Sequence, residues 1–256
     1  NDMPQFSDDL FLGTAQTYMG VNTNSALGDP SSMDLGVGPV GRIYVWDTVP
    51  AAKAANNLVT STTPTVAGSL TITAGAGVTA VTLANGSSAY QLDVPRAVSV
   101  TTASGTHASA NLTVSGYDYY GQAMSEVIAS SGSASTTVNG LKAFFQITGI
   151  TISGGTTGAI TVGTTDILGC PVRFNNKGYI ARCGWNNVLA EDAATVVVAD
   201  STTATTTTGD VRGTVVPSSA CDGAKRLVVA VLLTGIQCGP NATRAGALGV
   251  NQNLAS

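Results

Sequence analysis

Apolar and polar residues alternate through most of residues 90–174, and a repeat of two suits an extended strand rather than a helix. Leu92, Val94, Val98 and Val100 fall on one parity, interrupted only by Arg96. Leu112 and Val114 repeat the alternation, as do Phe145 and Ile147, Ile150 and Ile152, then Ile160 and Val162. Clusters of Gly, Ser and Asn bound these runs. Successive side chains of a strand point to opposite faces, so such runs bury one face and hydrate the other. The pattern predicts half-buried antiparallel strands. This stretch is the part of the chain best able to build a core, and the remainder is expected to be arranged around it.

The chain has 256 residues, room for one large all-β domain or two small ones. Hydrophobic residues make up 43% but aromatics only 5%, so the core must be built chiefly of Val, Ile, Leu and Ala. Charged residues reach only 10%, against about a quarter in an average protein. None occurs between Lys53 and Asp93. The surface there is Thr, Ser, Asn, Gln and Gly, which suits the outward face of strands. Sheet edges without Lys or Glu invite pairing with other chains. The composition therefore predicts edges and faces covered by partners, the alternative being edges protected by the chain's own loops.

The charge balance also excludes some partners. Net charge is −4 and no basic cluster occurs, which argues against nucleic acid. The longest apolar run, residues 227–233, is far too short to span a bilayer. The first nine residues are acidic and do not resemble a signal peptide. Cys170, Cys183, Cys221 and Cys238 form no C-x-x-C pair, and free thiols are expected. With one histidine in the chain, no metal site is expected.

Residues 1–37 lack a sustained period and read as an extended arm. Phe6, Leu10, Phe11, Leu12, Tyr18 and Met19 are scattered there among Asp, Asn, Gly and Ser. Ser7 could cap a short helical turn. Residues 36–41 spell G-x-G-x-x-G, but Pro39 removes an amide and a strand, not a helix, follows at residues 42–47. Residues 51–58 are Ala-rich and predict a short helix, broken at residues 60–64. Strands are predicted at residues 69–73 and 78–83, with Asn85-Gly86 turning a hairpin into residues 90–94. Further strands are expected at residues 179–185, 193–200 and 214–217. Within residues 225–233 the run 227–233 is continuously apolar and predicts a strand buried on both faces. Residues 201–208, all Thr, Ser and Ala, read as a flexible loop.

Few residues suggest chemistry. His107 lies in a strand-to-strand connection with no G-x-S-x-G elbow in the chain, and reads as a solvated loop residue. Asp118 and Glu126 could be imagined as a glycosidase pair, but among 15 acidic residues such pairs arise by chance. No catalytic residue, cofactor or metal ligand is assigned. Residues 116–121 concentrate Tyr117, Tyr119 and Tyr120 at a bend. Tyrosines there can anchor an interface, cover the end of a sandwich or stack on a sugar.

Several stretches together resemble the capsid decoration or cement proteins of tailed bacteriophages. They are Met3-Pro-Gln-Phe, Asp9-Leu-Phe-Leu-Gly-Thr-Ala-Gln, Gly38-Pro-Val-Gly-Arg-Ile-Tyr-Val-Trp-Asp, Leu92-Asp-Val-Pro-Arg-Ala-Val, Val114-Ser-Gly-Tyr-Asp-Tyr-Tyr-Gly-Gln-Ala-Met-Ser-Glu and Gly239-Pro-Asn-Ala-Thr-Arg. The resemblance spans nearly the whole chain, its middle being the most specific part. It implies a structural virion protein on the capsid exterior, made in the bacterial cytoplasm. Such a protein would bind the major capsid protein and itself, as a homo-dimer or homo-trimer, without enzymatic activity. It leaves the topology open and supplies no catalytic residues. The resulting expectation is an all-β chain: an extended N-terminal arm at 1–37, then an antiparallel β-sandwich at 38–256, jelly-roll or immunoglobulin-like. Phe6, Leu10, Phe11 and Leu12 would anchor the arm on the capsid, with Tyr117, Tyr119 and Tyr120 as further contacts. The alternative is a carbohydrate-binding module of a head or tail fibre or an adhesin.

Overall fold

A computed structural model of the protein describes residues 42–174, 176–200 and 204–233. The arm, with Phe6, Leu10, Phe11 and Leu12, lies outside the described residues, as does Cys238. The described chain is all-β, with one 3-10 turn at Lys177–Tyr179. Its strands are β1 (Arg42–Thr48), β2 (Val59–Thr62), β3 (Gly68–Ser69), β4 (Val78–Thr82), β5 (Ser88–Thr102), β6 (Asn111–Tyr117) and β7 (Ala123–Ala129). They continue with β8 (Thr137–Ile152), β9 (Ile160–Gly169), β10 (Ile180–Trp185), β11 (Thr195–Val198), β12 (Gly213–Val216) and β13 (Leu227–Leu233). One sheet runs β11-β12-β9-β5-β8-β6-β7, with β2 on β9, β3 on β8 and β4 on β5. The other runs β1-β13-β10. Every pairing is antiparallel.

The two long strands β5 and β8 organise the large sheet. β8 pairs along one side of β5, while β4 and then β9 share the other. In β6 and β7 the alternation read in the sequence is the alternation of burial, every second residue being buried. Residues 94–100 of β5, however, are buried without a break, and in β8 Phe144 rather than Phe145 is fully buried. Leu92, Val98, Val100, Leu112, Val114, Ile147, Ile150, Ile152, Ile160 and Val162 join one core inside the curled sheet. A second core lies between the sheets. Trp46, Trp185, Leu227, Val229 and Val231 from the small sheet meet Val94, Leu168 and Val215 from the large one. The result is an antiparallel β-sandwich. Asn85-Gly86 turns the β4–β5 hairpin, Gly86 taking a φ of 83° that only glycine adopts without strain.

Arg96, the interruption in the first run, does point inward. It is almost fully buried, and its guanidinium donates to the Ala51 carbonyl and to Asp93 at 2.7 Å. This also explains why residues 51–58 form no helix. The Ala51 and Ala54 carbonyls accept from Arg96 and from the Thr164 amide, so tertiary bonds take groups that a helix would use. The expected break at residues 60–64 is instead largely strand β2. β13 differs too: Leu227, Val229 and Val231 are buried, but Val228, Ala230 and Leu232 are only half-buried. It is the middle strand of a three-stranded sheet whose outer face no described element covers. Cys170, Cys183 and Cys221 are buried free thiols.

The edge of β7 is closed locally. Its Val127 amide donates to the Thr206 carbonyl at 2.8 Å. Residues 205–208 form a turn tied by their own hydroxyls, with Thr205 N donating to Thr208 Oγ1. Thr-rich sequence read as a loop thus occupies an edge that lacks protective charge.

Candidate aromatic interface

The β6–β7 hairpin ends in the tyrosine-rich bend, and Asp118 builds that turn. Its Oδ1 accepts from the amides of Tyr120 (2.8 Å) and Gln122 (2.9 Å), an Asx-type turn. Gly121 closes it at a φ of 75°. Asp118 Oδ2 meets Arg212 Nη1, and the Arg212 guanidinium lies 4.8 Å from the centre of the Tyr120 ring. The Tyr120 hydroxyl donates to the Pro171 carbonyl at 2.9 Å. Tyr120 is therefore fixed at both ends.

Tyr119 is presented outward on this base and stays 48% exposed. Its ring packs edge-on against Tyr120 and against Phe145 of β8, each with centroids 5.2 Å apart. Tyr44 and Val45 of β1, with Pro95 and Pro171, complete a cleft of about 280 Å³. Val45 is 57% exposed. Burial, reinforced by the neighbouring Tyr120 and Tyr119, pushes the Tyr44 phenol up to about 12. Burial also raises Tyr120, partly offset by Arg212. Both phenols are thus neutral under physiological conditions, and the cleft offers ring faces and hydroxyls beside the carboxylates of Asp47 and Asp93, which are paired with Arg226 and Arg96. The geometry suits recognition of a complementary apolar and polar surface.

Of the three tyrosines singled out in the sequence, the fold brings Tyr119 and Tyr120 together. Tyr117 is half-buried on β6 and does not line the cleft. Sequence reasoning missed Tyr44, Phe145 and Arg212. Phe145 was visible as a strand residue, but nothing local in the sequence places Arg212 beneath residues 118–120.

Asp118 and Glu126 are both buried, and each is engaged separately. Glu126 reaches from β7 to the backbone of β8, accepting from the amides of Leu141 (2.5 Å) and Lys142 (3.3 Å). Burial raises its carboxyl to about 7 against those bonds. Lys142 is fully buried; desolvation lowers its ammonium, opposed by Glu126, Asp210 and Asp200. His107 is not a solvated loop residue. It is 5% exposed, its Nε2 lies 2.7 Å from the Ala103 carbonyl, and its ring packs over Gly158, where a Cβ would come within 2.4 Å. Glycine at 158 makes room for the ring.

Among the described residues no group of three or more His, Cys, Asp or Glu side chains is arranged to hold a metal ion. No helix there is long and apolar enough to cross a membrane. No protein-family model, curated protein or solved structure matches the chain.

Proposed function

We propose that this is a structural virion protein that binds the outside of a phage head and cements neighbouring capsid subunits. The observation that carries the reading is the exposed Tyr119. It stands on a turn fixed by a buried ion pair and a half-buried Tyr120, beside exposed Val45. A rigid aromatic side chain loses little conformational entropy on binding, and such residues dominate interface energies. The low surface charge and the motif resemblance support the same reading. The protein would act by mass action: binding only the assembled lattice stabilises that lattice. Contact with several subunits, through the arm as well as the cleft, would add avidity. The partners would be the major capsid protein and further copies of this chain.

The test is the copy number of the chain relative to the major capsid protein in purified particles. A ratio near one, or a simple fraction of it, supports lattice-wide decoration. A few copies per particle would overturn it and favour a fibre or adhesin component. A chain lacking the first twelve residues should then lose capsid binding while retaining its β circular dichroism. Unchanged binding would remove Phe6, Leu10, Phe11 and Leu12 from the contact.

A further inference from the structure

At Ala97 and Val98 of β5, the two flanking strands bulge. On one side Ala97 faces Ala143 and Ser99 faces Asn139, so β8 spends two extra residues over Gly140, Leu141 and Lys142. On the other side Arg96 faces Leu168 and Val98 faces Thr164, so β9 does the same over Thr165, Asp166 and Ile167. Bulges re-aim side chains and are concentrated beside functional sites. Here they flank a cavity of about 540 Å³ on the face of β5. That size lies within the range of small-ligand sites.

The cavity is built from polar groups. Ser99 and Thr101 of β5 face Asn139 and Thr137 of β8 across the strand pair. Thr101 and Thr137 share a hydroxyl hydrogen bond at 2.9 Å. Asp166 lines the third side, 92% buried, with Oδ2 at 3.0 Å from the Lys53 ammonium. Lys53 arrives on the segment that crosses β9 at Gly163. A Cβ there would lie 1.9 Å from the Ala54 carbonyl, and the Thr164 amide donates to that same carbonyl. Among the described residues the buried Asp166 Oδ1 has no hydrogen-bond partner. Ile167 and Val216 add a small apolar wall.

The charge of this site narrows its ligand. Asp166 and Lys53 neutralise each other, so neither a lone anion nor a lone cation gains from entering. The surplus is hydrogen-bonding capacity in both directions: a carboxylate that accepts, an ammonium that donates, and hydroxyls and an amide that do both. A small neutral polyhydroxylated molecule matches that set, its hydroxyls meeting Asp166, Asn139 and Ser99 and its C–H face lying on Ile167 and Val216. We propose that this cavity binds a saccharide unit. The site is separate from the tyrosine cleft, and the proposal does not depend on the capsid reading.

Saturation-transfer NMR on the full chain, with glucose, galactose, mannose and N-acetylglucosamine as probes, tests it. At least one sugar should receive saturation. Asn139→Ala and Asp166→Asn should each weaken its binding about tenfold, the worth of one or two hydrogen bonds. Tyr119→Ala should leave it unchanged. Asn139 is exposed, so its variant decides the matter if Asp166→Asn fails to fold. Silence from all four sugars, full binding by Asn139→Ala, or loss of binding only in Tyr119→Ala would each overturn the proposal.

Discussion

Asp118 Oδ2 lies 2.5 Å from Arg212 Nη1, although 94 residues separate the two in sequence, and both side chains are almost completely buried. The pair ties the tyrosine bend to the segment between β11 and β12. Two charges so deeply desolvated are costly unless both are present. Asp118→Ala or Arg212→Ala should each lower stability by about 3–5 kcal/mol, because each leaves the other buried charge without its ion-pair partner. The double variant should cost much less than the sum, read as coupling in a double-mutant cycle of urea denaturation. Arg212→Lys should rescue poorly, since an ammonium cannot reproduce the guanidinium's planar stacking over Tyr120. Additive losses would mean that the two charges act independently.

Glu126 predicts a pH dependence. Its folded carboxyl is raised from 4.5 to about 7, chiefly by burial. Between those values the folded chain holds a proton that the unfolded chain has released. Stability should therefore fall as pH rises through that window, with the loss complete above it. The charged groups facing it are Lys142 and Asp210. Urea midpoints measured across the window should decline for the native chain, and Glu126→Gln should remove this contribution. A native midpoint that climbs with pH there, with the climb abolished in Glu126→Gln, would mean that the Leu141 and Lys142 amides outweigh desolvation.

The strands were legible because their information is local. Leu112, Val114, Ile150 and Ile152 announce their face by alternation, and Asn85-Gly86 announces its turn. What could not be read was whatever depends on residues far apart in the chain. Arg96 breaks the parity of β5, yet its inward orientation rests on Ala51 and Asp93 and on a bulge between Gln91 and Arg96. Helix propensity at residues 51–58 lost to bonds made with β5 and β9. The site divides in the same way. Tyr119 and Tyr120 stood out as a cluster, whereas their support by Arg212 and Phe145 depended on how the hairpin docks. Asp118 and Glu126 were visible only as two acids among many, because a carboxylate's role is set by the donors that surround it.

Gly163 should tolerate no side chain. An added Cβ would sit 1.9 Å from the Ala54 carbonyl and 2.5 Å from the Ala55 carbonyl carbon. Backbone cannot yield as a flexible side chain can, so the crossing segment must lift off β9. Gly163→Ala should cost about 1–3 kcal/mol, typical of overpacking, and should disturb the Lys53–Asp166 pair. Hydrogen exchange localised to residues 51–57 would report the lifting. A thermal midpoint equal to that of the native chain would show that the segment relaxes freely.

Tyr119→Ala separates the interface from the fold. The ring is 48% exposed, and its neighbours Tyr120 and Phe145 are held by other contacts, so truncation should leave the urea midpoint lowered by no more than about 1 kcal/mol. If Tyr119 anchors binding to the capsid, the same truncation should remove about 2 kcal/mol or more of binding energy, roughly 30-fold in affinity. Tyr119→Phe keeps the edge-on packing against both rings and should bind within a few-fold of the native chain, because ring burial rather than the hydroxyl supplies most of the energy. Sedimentation of variant protein with stripped particles measures both. Native affinity in Tyr119→Ala would remove the cleft from the contact. Loss in Tyr119→Phe as well as Tyr119→Ala would move recognition to the hydroxyl and favour a polar partner over a packed protein surface.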